Sequence, residues 1–184
     1  MTDAELVELA RHGDRDACDR LVERHQTAVY RAALAALRNA EDAEEVTQDA
    51  FVRAFRSLDG FRGQASFRTW LLRIAWRRAL SRRRLTWWRR HHAPIDDVQS
   101  AADPSAGPED SASTEELRAH IRRLILGLPQ ALRDALLLTR AGEYSYDEVA
   151  VMLDIPVGTL KWRVSEARRR LRTQLARLGY DART

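Results

Sequence analysis

Between His91 and Glu116 the helical periodicity that marks the rest of this chain stops. The segment HHAPIDDVQSAADPSAGPEDSASTEE holds seven acidic residues, three Pro and no Lys or Arg. Proline breaks helices by removing an N–H and clashing with the preceding turn, and so polar a stretch cannot bury enough apolar surface to offset its ordering entropy. Folding must therefore happen on either side of it. The 184 residues, 45% of them hydrophobic, suffice for two small cores. The chain is predicted to be all-α: two small helical domains, 1–90 and 114–184, joined by a flexible acidic linker over 91–113, with a helix-turn-helix in the second.

The first part reads as four helices. Thr2 and Glu5 form a capping box for a short helix bearing Leu6, Val7, Leu9 and Ala10, which Gly13 ends. Asp14 can cap a long second helix with Ala17, Leu21, Val22, Ala28, Val29, Ala33 and Leu37 inward, and Asn39 is its expected terminator. A third begins near Asp42 and buries Ala43, Val46, Ala50, Phe51, Ala54, Phe55 and Leu58, leaving Glu44, Glu45, Gln48, Asp49 and Arg53 outside. The stretch Leu58 to Ser66, LDGFRGQAS, reads as a loop with exposed side chains, and Ser66 as the cap of a fourth helix whose stripe is Phe67, Trp70, Leu71, Ile74, Ala75 and Leu80. From Arg62 to Arg90 there are ten Arg and no acidic residue, interleaved with Phe67, Trp70, Trp76, Trp87 and Trp88. Positive charge follows phosphate and aromatic rings stack on unpaired bases, so the combination suits single-stranded nucleic acid. Phe67 and Trp70 lie on the stripe and are expected in the core; Trp76, Trp87 and Trp88 are expected to be harder to bury.

Beyond the linker, Thr114 is the expected cap of a helix with Leu117, Ile121, Leu124 and Ile125, which halts near Gly127 to Pro129, and a further helix carries Leu132, Leu136 and Leu137. Then comes SYDEVAVMLDIPVGTLKWRVSEARRR, Ser145 to Arg170. Ser145 and Glu148 form a second capping box, Val149, Ala150 and Leu153 one apolar side, and Asp154-Ile155-Pro156 a break, with Pro156 in the first turn of the next helix. That helix turns Leu160, Val164, Ala167 and Leu171 inward and Trp162, Ser165 and Arg169 outward, flanked by Lys161 and Glu166. The pattern favours a major-groove reader over an ordinary helical hairpin with solvated Arg.

Other classes find little support. Of the 31 basic residues only Lys161 is Lys, a bias that codon usage alone can produce, so placement of charge matters more than its amount. Cys18 is the one cysteine and is expected to be structural; His91 and His92 lack further ligands nearby; no nucleophile motif or Gly-rich phosphate loop appears. No metal, cofactor or enzymatic activity is expected. Without a basic-then-apolar leader or a run long enough to span a membrane, the chain is expected to be soluble, without membrane insertion, and cytoplasmic.

Three blocks stand in order: DAEEVTQDAFVRAF at 42–55, FRGQASFRTWLLRIAWRRAL at 61–80 and LPQALRDALLLTRAGEYSYDEVAVMLDIPVGTLKWRVSEARRRL at 128–171. Together they resemble the extracytoplasmic-function (ECF) subgroup of bacterial sigma factors. The resemblance implies a promoter-selecting initiation factor that binds RNA polymerase core enzyme and promoter DNA and is held in check by an anti-sigma factor. It implies polymerase contacts at Glu45, Gln48, Asp49 and Arg53. It also implies capture of an opened −10 strand by Phe61, Arg62, Gly63, Gln64 and Ser66 with Arg73, Trp76, Arg77 and Arg78, and duplex −35 reading by Thr159, Lys161, Trp162, Arg163, Ser165, Glu166 and Arg169. Many members carry Asn, and then Asn or Asp, where this chain has Arg77 and Ser81, and a basic residue in place of Glu166. Glu166 is expected either to accept from a cytosine amino group or to pair with Arg170, and Trp162 to pack on a thymine methyl or a sugar. The rival reading, a two-domain helix-turn-helix regulator with a ligand-sensing first domain, explains the second half equally well but not the Arg and aromatic field. An RNA-binding module using Arg62 to Arg90 alone would leave the second half idle.

Overall fold

The computed structural model describes residues 1–92, 112–140 and 144–180, with side chains throughout except at 87–92 and 112–116. The expectations for the side chains of Trp87, Trp88, His91 and His92 thus fall outside what is described, as does the course of the linker. All described secondary structure is helical: α1 (Asp3–Arg11), α2 (Arg15–Leu37), α3 (Ala40–Arg56), a 3₁₀ turn (Leu58–Gly60), α4 (Phe67–His92), α5 (Ala112–Leu126), α6 (Gln130–Arg140), α7 (Tyr146–Leu153) and α8 (Val157–Arg177). The chain forms two compact units, one holding α1–α4 and the other α5, α6, α8 and the first part of α7.

Local chemistry sets the helix ends of the first unit. The Thr2 hydroxyl accepts from Glu5 N while Glu5 Oε2 accepts from Thr2 N at 2.7 Å, closing the expected capping box. Asp14 accepts from Ala17 N at 3.1 Å and starts α2. Asn39 does not terminate α2 as expected. Arg38 does so by entering the left-handed region at φ 57°, and Asn39 instead caps α3, its Oδ1 accepting from Asp42 N at 2.8 Å. A side chain that accepts hydrogen bonds serves exposed N–H groups, which lie at the start of a helix rather than its end.

Helices α2, α3 and α4 pack against one another, with α1 laid on α2. Their core includes Leu6, Leu21, Val29, Val46, Phe51, Phe67, Leu71 and Leu72. Helix α4 buries two adjacent stripes rather than one, Phe67, Leu71 and Ala75 followed by Leu72, Trp76 and Ala79. A helix that packs against two neighbours needs both. Trp76 is therefore 1% exposed, whereas Trp70 is only half-buried, the reverse of the expectation for the pair. Leu58, counted with α3, is buried in the 3₁₀ turn that follows it. Burial pushes the Cys18 thiol up, helped by Asp19 and Asp14, so this half-buried cysteine is held in its thiol form.

In the second unit Leu128, Leu132, Leu136 and Ala167 form a core with Ile125 and Leu171 against it, joining α6 to α8. Helix α5 starts two residues before Thr114, the residue expected to cap it. Ser145 and Glu148 close a second capping box: Glu148 N donates to Ser145 Oγ at 3.2 Å and Ser145 N to Glu148 Oε2 at 2.8 Å. Val149 and Ala150 of α7 are buried, whereas Leu153 is only half-buried. Asp154 then adopts φ 58°, Ile155 N reaches back to Ala150 O at 3.0 Å, and Pro156 stands as the N-cap of α8, which begins at Val157. Aspartate is among the few residues that enter the left-handed region at modest cost, which permits so sharp a turn without Gly.

Candidate nucleic-acid and polymerase interfaces

The loop from Phe61 to Ser66 is anchored at both ends. Arg11 donates to the carbonyls of Leu58 and Phe61, tying the loop's start to α1. Ser66 Oγ accepts from Thr69 N at 3.1 Å and caps α4. The Phe61 ring lies edge-on to Phe67 at 5.9 Å and 5.2 Å from Trp70. Between these anchors Arg62, Gly63 and Gln64 are exposed, and Gly63 has φ 69°, a conformation that favours glycine. This is a short exposed loop on a rigid aromatic base, a geometry suited to holding something flat and polar.

On α4, Arg77 is exposed and Arg73 and Arg78 are half-buried. Trp76 must be removed from the nucleic-acid face. It lies in the core, its Nε1 buried and without an acceptor among the described residues, and no base can stack on it.

The acidic face of α3 meets the basic face of α4 directly. Asp49 accepts from Arg53 at 3.0 Å and also from Arg78. Arg82 donates to Asp42 at 2.7 Å and to Glu45. Partial burial raises the Asp49 carboxyl, but the hydrogen bonds from Arg53 and Arg78 outweigh it and hold it below the usual range. Hydrogen bonding to Glu45, then to Asp42, holds the Arg82 guanidinium more firmly charged. The four expected polymerase contacts are thereby divided. Glu45 and Asp49 line a cleft with Val46, Arg78, Ser81, Arg82 and Leu85, Arg53 is bonded to Asp49, and Gln48 lies on a separate groove with Tyr30 and Glu44. The pairs between α3 and α4 span 29 to 40 residues and carry no sequence signal.

Helix α8 presents three surfaces. Leu160, Val164 and Ala167 are buried. The outward line holds Trp162, 62% exposed, with Ser165 and Arg169. On one flank Lys161, Ser165, Arg168 and Arg172 surround a concavity with Tyr146, the first residue of α7. Arg168, Arg172 and Tyr146 were not among the expected site residues, although spacing of 161, 165, 168 and 172 at i, i+4, i+7 and i+11 is itself a signal for one helix face. Thr159 and Arg163 are half-buried toward the sides. Glu166 is engaged by both Arg169 and Arg170, and those hydrogen bonds lower its pKa to about 2. Of its two expected roles, pairing with Arg170 is therefore present, and Arg169 joins it.

Residues 21–89 match the Sigma-70 region 2 family and residues 118–171 match Sigma-70 region 4. The ECF RNA polymerase sigma-E factor of Escherichia coli K12 is 36% identical over 175 residues, 91% of either chain. This chain belongs to the ECF sigma factors. The RNA polymerase sigma-H factor of Pseudomonas aeruginosa is 33% identical over 90% of either chain. Among solved structures, CnrH in complex with the cytosolic domain of CnrY matches with TM-score 0.67 and 27% identity over 95% of this sigma factor and 97% of that chain. RpoE from Bartonella quintana, solved with the anti-sigma factor NepR, shares the fold at TM-score 0.65 and 23% identity over 86% and 96%. Sigma factors are initiation factors, not enzymes. Region 2 takes in α3, the anchored loop and most of α4; region 4 takes in the helix-turn-helix. Among the described residues no helix is long and apolar enough to cross a membrane, and no cluster of metal-ligating side chains occurs.

Proposed function

We propose that this ECF sigma factor acts in the cytoplasm by docking α3 on RNA polymerase core enzyme, holding an opened −10 strand with the 61–66 loop and α4, and reading a duplex −35 element with α8. The observation that carries the reading is the division of surfaces on α8: an outward line of Trp162, Ser165 and Arg169 beside a basic flank of Lys161, Arg168 and Arg172. A groove reader needs both, one set of side chains for base edges and another for phosphates. In the first unit, Phe61 on Phe67 and Trp70 gives the loop a firm base, and Arg62 and Gln64 extend from it. Unstacking a base costs a few kcal/mol, which the cationic helix beside the loop offsets through phosphate contacts. The exposed Gln48 and Glu45 of α3 set specificity and encounter rate with polymerase more than raw affinity. An anti-sigma factor that covers these faces is the regulator the family implies, and the fold is one seen bound to such a protein.

The test is reconstitution: purified chain, polymerase core enzyme and a library of upstream sequences, read as run-off transcripts. Transcripts that depend on both the added chain and specific upstream sequence are expected. Absence of any such transcript would sink the proposal, and ligand-dependent operator binding without transcription would favour the regulator.

A further inference from the structure

Glu166 sits inside the DNA-facing surface of α8, where a carboxylate should repel phosphate. Its geometry is specific. Oε2 accepts from Arg169 Nε and Oε1 from Arg169 Nη2, both at 2.8 Å, and Oε1 accepts again from Arg170 Nε at 2.8 Å. The Glu166 side chain is only 14% exposed, while the Arg169 and Arg170 side chains that bond it are 65% and 44% exposed. Three of the roughly four lone-pair positions of an ionised carboxylate are thus filled from within the helix. Little of it is left for a cytosine amino group.

A guanidinium has two usable edges. Glu166 takes the side edge of Arg169, made of Nε and Nη2, and leaves the end edge of Nη1 and Nη2. Arg169 lies seven residues after Trp162, on the same outward line and opposite the buried Leu160, Val164 and Ala167. Phosphates line the rims of a major groove and base edges line its floor. The flank of Lys161, Arg168 and Arg172 is placed for a rim; the outward line is placed for the floor. Two parallel N–H donors on that floor match one base edge, the O6 and N7 acceptors of guanine.

The geometry points to Glu166 as a positioning residue: by holding the side edge of Arg169 it aims the end edge at a guanine in the −35 duplex. Arginine loses rotamer freedom when it docks, and a side chain fixed beforehand loses less, so the carboxylate contributes to recognition without touching DNA. The inference rests on α8 being the −35 reader.

Its test uses holoenzyme formed from the full chain. The wild-type holoenzyme first selects a promoter from templates randomised across the −35 region. Each −35 guanine is then replaced singly by 7-deazaguanine, which lacks the N7 acceptor, and dissociation constants are measured for wild type, Glu166→Gln and Arg169→Lys. Wild type should lose about tenfold at one guanine. Glu166→Gln should be nearly indifferent at that same guanine, Arg169→Lys should keep only part of the sensitivity because a single ammonium can still reach N7, and Glu166→Gln should bind random-sequence duplex as well as wild type or better, because a negative charge has gone. The last readout separates positioning from a structural role, since a damaged helix would weaken every duplex. Unchanged guanine sensitivity in Glu166→Gln overturns the inference. So does a wild type indifferent to every 7-deazaguanine, which would mean that Arg169 reads no guanine. If the wild-type holoenzyme selects no −35 sequence at all, the proposed function falls as well.

Discussion

Trp76 stands in an arginine-rich run and yet belongs to the core, 1% exposed among α4 residues that face two neighbouring helices. Removing its ring should open a cavity, and Trp76→Ala is expected to destabilise by about 3–5 kcal/mol, as a large aromatic truncation does. Since Nε1 has no acceptor among the described residues, Trp76→Phe gives up no hydrogen bond and should cost clearly less. Urea denaturation of the two variants checks this, and equal losses would show that the indole N–H matters. Glu166 makes a pH prediction with a definite sign. Its carboxyl is lowered from an ordinary 4.5 to about 2 by the Arg169 and Arg170 hydrogen bonds. A depressed value means that the stabilisation from pairing is fully present above 4.5 and is lost as pH falls toward 2. The difference in melting temperature between wild type and Glu166→Gln should be flat from pH 8 to about 5 and shrink only below 4.5. NMR titration of the side-chain carboxyl should place its midpoint near 2 and move it up in Arg169→Ala.

At the scale of helices, caps carry the boundaries. Asn39→Ala removes the acceptor that bonds Asp42 N and should cost about 1 kcal/mol by chemical denaturation; no loss would mean that α3 is held by packing alone. Most helix starts were legible because a cap is a local device, complete within four residues: Thr2 with Glu5, Asp14 with Ala17, Ser66 with Thr69, Ser145 with Glu148. Asn39 was misassigned because the residue that ends α2 is Arg38 in a left-handed conformation, which composition does not announce. Trp70 and Trp76 were exchanged because a single-stripe pattern describes a helix with one packing partner, and α4 has two. The outward line of α8 was legible from its period, and so was its basic flank, although Arg168 and Arg172 went unread there. What no local pattern carries is the pairing of Asp42, Glu45 and Asp49 with Arg78 and Arg82, since those partners meet only once α3 and α4 are packed. Site residues drawn from the resemblance were therefore right about surface where periodicity also supported them, as at Trp162, and wrong at Trp76.

For the molecule as a whole, the proposed mechanism joins two modest DNA-binding surfaces by a tether. Linked sites can gain 10²–10⁴ in avidity without a new contact, provided their spacing on DNA fits. A fragment spanning 112–180 is expected to bind promoter duplex weakly, and insertions that change the distance between −35 and −10 elements should abolish the gain of the full chain with polymerase. Electrophoretic mobility and run-off assays on a spacer series measure both; tight, specific binding by the fragment alone would return the balance to the regulator. The ion pairs between α3 and α4 bear on how this molecule responds to its ionic surroundings. A cation already facing a carboxylate displaces fewer condensed ions when it reaches a phosphate, so counting arginines overstates the valence with which the first unit meets a strand. With Arg78 bonded to Asp49 and Arg82 shared by Asp42 and Glu45, promoter opening should depend less steeply on salt than the ten arginines between 62 and 90 suggest. A cell that accumulates potassium under osmotic stress would then lose less of its grip on the opened strand than a count of arginines predicts.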